Sequence, residues 1–216
     1  MSLFRLDASI RREGSASRAL ADLVEAHWSD GAPDVPVTRR DIAIDPLPSD
    51  AWALAVGAGF VPDADRTPPE RSSVDLASLL VDELAHADAY LFAVPLYNFG
   101  VSQHFKAYID LVTTDPRMGP GVAAVTSGKP GVLVTVRGGS YSAGTPREGW
   151  DHATGWMRRI LEDVWGIDLE VVEREFTLVG VNPALDAFAD IADELRVGAE
   201  DRARTSGRTL AEVMVA

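Results

Sequence analysis

The chain has 216 residues, which fits one globular domain with an ample core, and its hydrophobic content of 46% is that of an ordinary soluble protein. Cysteine is absent, which excludes disulfides and thiol catalysis. The formal net charge of −13 argues against a nucleic-acid partner, and no leader peptide or bilayer-length apolar segment is apparent, so we predict a cytoplasmic protein with no membrane partner.

Apolar runs alternate with amphipathic stretches along the chain, which predicts strands and helices in turn. The predicted strands lie at about residues 3–8, 35–41, 89–94, 131–136 and 169–176. The predicted helices lie at about residues 17–28, 74–86, 102–113, 150–165 and 183–205, and one short helix lies in a long excursion at 45–70. This alternation indicates an α/β fold with a doubly wound parallel sheet and helices on both faces. By analogy with five-stranded sheets of this kind, we expect the flavodoxin-like order 2-1-3-4-5.

Three loops follow the carboxyl ends of the first, third and fourth predicted strands, which are neighbours in that order. They span residues 9–17, 95–100 and 137–144. A parallel sheet binds its ligands just beyond the carboxyl ends of its strands. We therefore expect the three loops to converge on one ligand site.

The first loop supplies serine hydroxyls and free backbone N–H groups at the start of a helix, a combination that favours a phosphate. It contains neither the P-loop motif nor the glycine fingerprint of dinucleotide-binding folds. Taken alone, it is explained more simply by Ser15 or Ser17 capping the helix.

The other two loops indicate a flat cofactor. Tyr97 and Phe99 at a strand end are unusual for plain core, and Asn98 can both donate to and accept from ring heteroatoms. Gly138 and Gly139 let the backbone approach a ligand closely, although an ordinary glycine turn explains that loop by itself. The four histidines show no pairing at metal-ligand spacing, so we predict no metal.

At these positions the chain resembles a known family. Asp-Ala-Ser-Ile at 7–10, Ser-Ala-Ser at 15–17, Pro-Leu-Tyr-Asn-Phe at 95–99 and Arg-Gly-Gly at 137–139 resemble the flavin segments of the FMN-dependent NAD(P)H azoreductases. These are flavodoxin-like quinone and azo-compound reductases. The resemblance implies bound FMN, NADH or NADPH as electron donor, a quinone or azo compound as acceptor, and a homodimer with the flavin at the subunit interface.

The resemblance also implies which residues bind the cofactor. Those around the FMN phosphate are Ser9, Ser15, Ala16 and Ser17. Those along the isoalloxazine ring and ribityl chain are Pro95, Leu96, Tyr97, Asn98 and Phe99. Those facing the pyrimidine side of the ring are Arg137, Gly138 and Gly139. No catalytic side chain is predicted, because hydride transfer through a flavin requires stacking and orientation more than a protein acid or base.

Two departures from the family pattern concern the substrate and the carboxyl end. Many azoreductases carry an aromatic Thr-Phe-x-Tyr segment where this chain has the shorter, non-aromatic stretch at 114–121. Quinones and azo compounds therefore both stay open as acceptors. We describe residues 1–216 as one FMN-binding domain, with a helical extension from about residue 202 that runs past the usual end of the family.

Three functions follow from these observations. The first is an FMN-dependent NAD(P)H oxidoreductase that transfers two electrons by a ping-pong mechanism. The second is a flavodoxin-type carrier that passes single electrons between partner proteins, for which the charge of −13 suits docking to a basic partner. The third is a binding module that has kept the fold and lost the flavin.

Overall fold

The computed structural model describes residues 1–215 of the chain, with side chains described through residue 212. Its strands are β1 (Leu3–Asp7), β2 (Val37–Asp41), β3 (Ala89–Tyr97), β4 (Gly100–Val101), β5 (Pro130–Val136) and β6 (Asp168–Arg174). Its α-helices are α1 (Ala16–Gly31), α2 (Ala51–Ala58), α3 (Pro68–His86), α4 (Gln103–Val112), α5 (Thr154–Arg158) and α6 (Ala189–Val215). No helix within this range is both long and apolar enough to cross a membrane.

The sheet has the predicted arrangement with one additional short strand. Five strands pair in parallel in the order β2-β1-β3-β5-β6, which is the expected 2-1-3-4-5 when only the parallel strands are counted. The additional strand β4 lies off this path and pairs antiparallel with the end of β3. The predicted doubly wound, flavodoxin-like sheet is therefore confirmed.

The third strand is longer than the sequence suggested. Its apolar run continues from Val94 through Pro95 and Leu96 to Tyr97, and Pro95 still lies opposite Val136 of β5. The prediction ended the strand at Val94 because proline cannot donate to a ladder and usually marks a strand end. Pairing with β4 extends the strand beyond that proline, so the first half of the expected loop belongs to the sheet.

Apolar side chains cover both faces of the sheet. Successive residues on a strand point to opposite faces, so Leu3 and Phe4 enter different clusters. Phe4 and Phe92 pack in the cluster on the side of α3 and α4, whereas Leu3 and Leu91 pack in the cluster on the side of α1 and α6. The central strands are consequently buried on both faces, as doubly wound sheets require.

Several helix boundaries differ from the prediction. α3 begins six residues earlier than the expected 74, because Thr67 and Glu70 form a reciprocal capping box ahead of the first turn. The expected helix at 150–165 is the short α5 followed by a π-helical turn, Arg159–Val164. A 3₁₀ turn, Pro183–Phe188, precedes α6.

The carboxyl-terminal extension continues α6 rather than forming a separate element. α6 packs against α1 so closely that a Cβ added at Gly207 would lie 2.3 Å from the Val24 carbonyl oxygen. Ala203 and Leu210 belong to the same apolar cluster as α1. The extension from residue 202 thus contributes to the core, and its last residue, Ala216, lies outside the described residues.

Candidate functional site

One cavity of about 380 Å³ lies at the carboxyl edge of the sheet, a volume typical of small-molecule sites. The loops after β1, β3 and β5 line it, as the sequence led us to expect. Every predicted cofactor-binding residue lines this cavity except Arg137. The loop after β6 also contributes to its wall, through Thr177, Leu178, Asn182 and Leu185.

Three serine hydroxyls meet where α1 begins. The Ser15 hydroxyl donates to Ser9 Oγ at 2.9 Å and lies 3.3 Å from Ser17 Oγ, and all three residues are buried. Ser15 is the residue that caps the helix, because its Oγ accepts from the Arg18 N–H. Hydroxyl groups beside the unpaired N–H groups of a first helical turn suit an anion such as a phosphate.

An arginine on α1 fixes the loop that carries this serine cluster. The Arg18 guanidinium donates to the Ser9 carbonyl at 2.8 Å and to both carboxylate oxygens of Asp41. Hydrogen bonding to Asp41 raises the pKa of Arg18. Burial opposes ionisation of Asp41, but hydrogen bonds from Arg18 and the Ile44 N–H outweigh it and lower the pKa of that carboxyl. The pair is therefore charged throughout the physiological range and holds the loop in place.

The end of β3 turns sharply beside the cavity. Asn98 and Phe99 join β3 to β4 with φ of 48° and 67°, the pattern of a two-residue type I′ hairpin turn. Asparagine tolerates this left-handed region, whereas phenylalanine pays a steric cost there. Phe99 is also 39% exposed, with its ring 5.3 Å from Trp150 in an edge-to-face arrangement. Strain and exposure of an aromatic residue together mark this turn as a candidate ligand platform.

Arg137 is the predicted site residue that the structure does not bring into the cavity. Its buried guanidinium donates to Asp151 at 2.7 Å, to the Thr154 hydroxyl at 2.9 Å and to Glu173 at 3.2 Å. Its backbone is equally occupied, since its N–H donates to Arg174 O and its carbonyl accepts from the Thr177 N–H. Arg137 therefore positions the Gly138–Gly139 loop from behind.

A buried carboxylate missed in the sequence supports the same loop. Glu175 accepts from the Ser140 hydroxyl at 2.6 Å, the Tyr141 N–H at 2.8 Å and the Ser142 hydroxyl at 3.0 Å. The predicted strand at 169–176 contained Glu175, whereas β6 ends at Arg174, so the strand-end rule did not single out this residue.

Gly138 is required by a contact from the β6 side of the cavity. A Cβ at Gly138 would lie 2.6 Å from Leu178 Cδ1, closer than such contacts occur. The carbonyls of Gly138 and Gly139 accept from the N–H groups of Leu178 and Phe176. Neither glycine N–H donates to another group within residues 1–215, so both are available to a ligand.

Comparisons with known proteins agree with this geometry. A family model described as a flavodoxin-like fold matches residues 1–196. A protein of Frankia alni named FMN-dependent NADH:quinone oxidoreductase is 38% identical over 205 residues, which are 94% of this chain and 97% of that protein.

Two solved structures share the fold. An azoreductase from Bacillus anthracis str. Sterne has a TM-score of 0.77 at 22% identity, over 97% of this chain and 100% of that one. A FMN-dependent NADH-azoreductase from Bacillus anthracis str. Ames Ancestor, solved in complex with FMN, has a TM-score of 0.70 at 16% identity, over 95% and 99% of the two chains. The chain therefore belongs to the flavodoxin-like family that includes the FMN-dependent NADH:quinone oxidoreductases.

Proposed function

We propose that this protein is an FMN-dependent NADH:quinone oxidoreductase. The observation that carries the proposal is the cavity at the carboxyl edge of the sheet, which the serine cluster after β1, the Asn98–Phe99 turn after β3 and the Gly138–Gly139 loop after β5 line together. The name of the 38% identical relative supports the same cofactor, donor and acceptor.

The residues present fit FMN. The hydroxyls of Ser9, Ser15 and Ser17 would hold its phosphate at the positive end of α1. Tyr97 through Phe99 would lie along the ring, where the Asn98 amide offers both a donor and an acceptor. Gly138 and Gly139 would direct their free N–H groups at the pyrimidine side, where negative charge develops on reduction.

The protein's part in the reaction is to bind and orient. FMN bound here would supply a group that accepts a hydride from NADH and passes it, as two electrons and one proton, to the quinone, whose second proton would come from water. The cavity walls would hold each substrate in stacking contact with the flavin ring and exclude water from between them. Because both substrates would use this one cavity, we expect them to bind in turn, which is the ping-pong order.

The homodimer and the cytoplasmic location stay predictions. If the protein is a homodimer, light scattering should give a molecular mass of about twice the 23.2 kDa of one chain. Azo compounds likewise stay a predicted second class of acceptor, and a methyl red decolourisation assay tests them. The cytoplasmic location is tested by fractionation of the source cells.

The experiment that tests the function starts from an absorbance spectrum of the purified protein. We expect a yellow flavin spectrum that bleaches on anaerobic addition of NADH and returns on addition of a quinone. Initial rates at several fixed quinone concentrations should give parallel double-reciprocal lines. Protein that stays colourless and inactive with saturating FMN would contradict the proposal. A stable half-reduced state on dithionite titration, without NADH oxidation, would favour the one-electron carrier instead.

A further inference from the structure

The cavity is positively charged although the chain is strongly acidic. The sequence holds 33 Asp and Glu against 20 Lys and Arg. Among the described residues, however, no carboxylate lines the cavity, and its charged lining residues are Arg11 and Arg147. The charged side chains that line the cavity are thus opposite in sign to the net charge of the chain, which favours anionic ligands there.

The two arginines lie at opposite ends of the cavity. Arg11 belongs to the serine loop, where its N–H donates to Ser9 Oγ at 3.3 Å, so an FMN phosphate accounts for it. Arg147 lies at the other end, with a guanidinium nitrogen 3.0 Å from the position that a Cβ on Gly139 would take. The FMN phosphate does not account for this second charge.

Arg147 lies beside two aromatic rings and has no carboxylate partner among residues 1–212. Its guanidinium carbon lies 5.9 Å from the ring centre of Phe99 and 5.9 Å from that of Tyr141, within the range of cation–π interaction. It forms no ion pair or side-chain hydrogen bond with residues 1–212, and it is exposed. The two rings leave the guanidinium N–H groups without an acceptor, so they are free to bind a carboxylate or sulfonate with two hydrogen bonds.

We propose that Arg147 determines acceptor specificity by binding an anionic group, a carboxylate or sulfonate, on the electron-accepting quinone. This inference rests on the proposed function, since it concerns the acceptor of that reaction. The phosphates of NADH and the pyrimidine side of the reduced flavin are two other sources of negative charge at the same cavity; either would make flavin reduction by NADH depend on Arg147, and the experiment separates them from the quinone.

The first measurement is acceptor selectivity, taken as the ratio of kcat/KM for 1,4-naphthoquinone-2-sulfonate to kcat/KM for 1,4-naphthoquinone. Because an ion pair made by one exposed arginine is weak and screened by salt, we expect Arg147→Gln to lower this ratio by about fivefold at low salt. Arg147→Lys keeps the charge and should lower the ratio less. Arg208→Gln removes the same charge from the exposed surface of α6 and should leave the ratio unchanged.

The second measurement assigns the source of the anion. In anaerobic stopped flow, NADH should bleach the flavin bound to Arg147→Gln at the same rate as the flavin bound to wild type. Slower bleaching together with an unchanged acceptor ratio would assign Arg147 to the NADH phosphates or the reduced flavin and overturn the proposal. An equal loss with both quinones would also overturn it, because Arg147 would then act only in maintaining the loop.

The third measurement does not depend on turnover. Calorimetric titration of the FMN-loaded protein with the sulfonated quinone, without NADH, should show weaker binding in Arg147→Gln than in wild type, and the difference should shrink as salt is added. Such binding without any quinone-dependent NADH oxidation would overturn the proposed function and leave the anion site standing. Equal binding by the two proteins would overturn the anion site alone.

Discussion

The Tyr97 hydroxyl lies 3.3 Å from Ser9 Oγ and accepts from the Ile10 N–H at 3.2 Å, so it joins the end of β3 to the loop after β1. We expect Tyr97→Phe to keep the aromatic surface and to loosen the serine cluster. A lost hydrogen bond of this kind costs about 1 kcal/mol, so the Kd for FMN should rise about fivefold. Fluorescence titration of the apoprotein with FMN measures it. An unchanged Kd would show that the serine cluster is held without Tyr97.

The Asn98 position allows the amide and the backbone to be tested separately. Asn98→Ala removes the amide and places alanine at φ 48°, which we expect to cost about 1 kcal/mol in the free energy of unfolding. Asn98→Gly removes the amide but accepts this φ freely. Both variants should bind FMN more weakly, whereas urea unfolding should show a stability loss in Asn98→Ala alone. FMN binding by Asn98→Gly at the wild-type level would place the ring away from the amide.

Two substitutions of Ser15 distinguish its role as a helix cap from a role in ligand binding. Ser15 is the N-cap, so Ser15→Ala should lower the free energy of unfolding by about 1 kcal/mol, whereas Ser15→Gly should lower it by only a few tenths. Both lose the hydroxyl, and we expect both to bind FMN more weakly in the same fluorescence titration. Wild-type affinity in Ser15→Gly would show that the serine acts only as a cap.

Substitution of Arg137 tests whether this residue supports the Gly138–Gly139 loop or contacts FMN directly. Its side chain is 8% exposed among three carboxylates, and removing it strands those charges. We expect Arg137→Ala to lower the free energy of unfolding by about 3 kcal/mol in urea denaturation. Arg158→Ala breaks an exposed ion pair with Glu162 and should cost less than about 1 kcal/mol. Lost FMN binding with unchanged stability would instead favour the direct contact that the family resemblance implies.

Acid should weaken the same network through Asp151. Burial raises the pKa of this carboxyl, but hydrogen bonds from the Thr154 N–H and hydroxyl and the charge of Arg137 lower it below its ordinary 3.8. The resulting stabilisation is complete well above that ordinary value and is lost as pH falls through the lowered folded-state pKa. Wild type should therefore lose more stability than Asp151→Asn as the pH falls from about 5 through the ordinary carboxyl pKa and on through the lowered one. Parallel curves from urea unfolding at each pH would contradict this assignment.

Much of the architecture was predictable because it depends on local patterns. The alternation of apolar runs such as 89–94 with amphipathic helices such as 102–113 implies the parallel sheet. The position of each loop after a strand then predicted that Ser9, Tyr97 and Gly138 lie at one edge, and in the structure all three line one cavity. These inferences needed only residue spacing along the chain and the geometry common to all parallel sheets.

What the sequence could not supply depends on contacts between distant segments. Whether Arg137 faces the ligand or the carboxylates of Asp151 and Glu173 is decided by how residues 151 and 173 pack behind the loop. The short β4 likewise exists because a two-residue turn after a proline-containing strand end folds back on it, against the usual meaning of proline.

By itself, then, the sequence determined the alternation of strands and helices and the positions of the serine, aromatic and glycine loops, since periodicity and strand-end position are encoded residue by residue. The order of the strands was expected by analogy with other five-stranded parallel sheets. Only the tertiary structure decided that Arg147 lines the cavity and that Arg137 does not. It buries Arg137 among carboxylates and places Arg147 beside Phe99 and Tyr141, because a long charged side chain takes its direction from its neighbours in space.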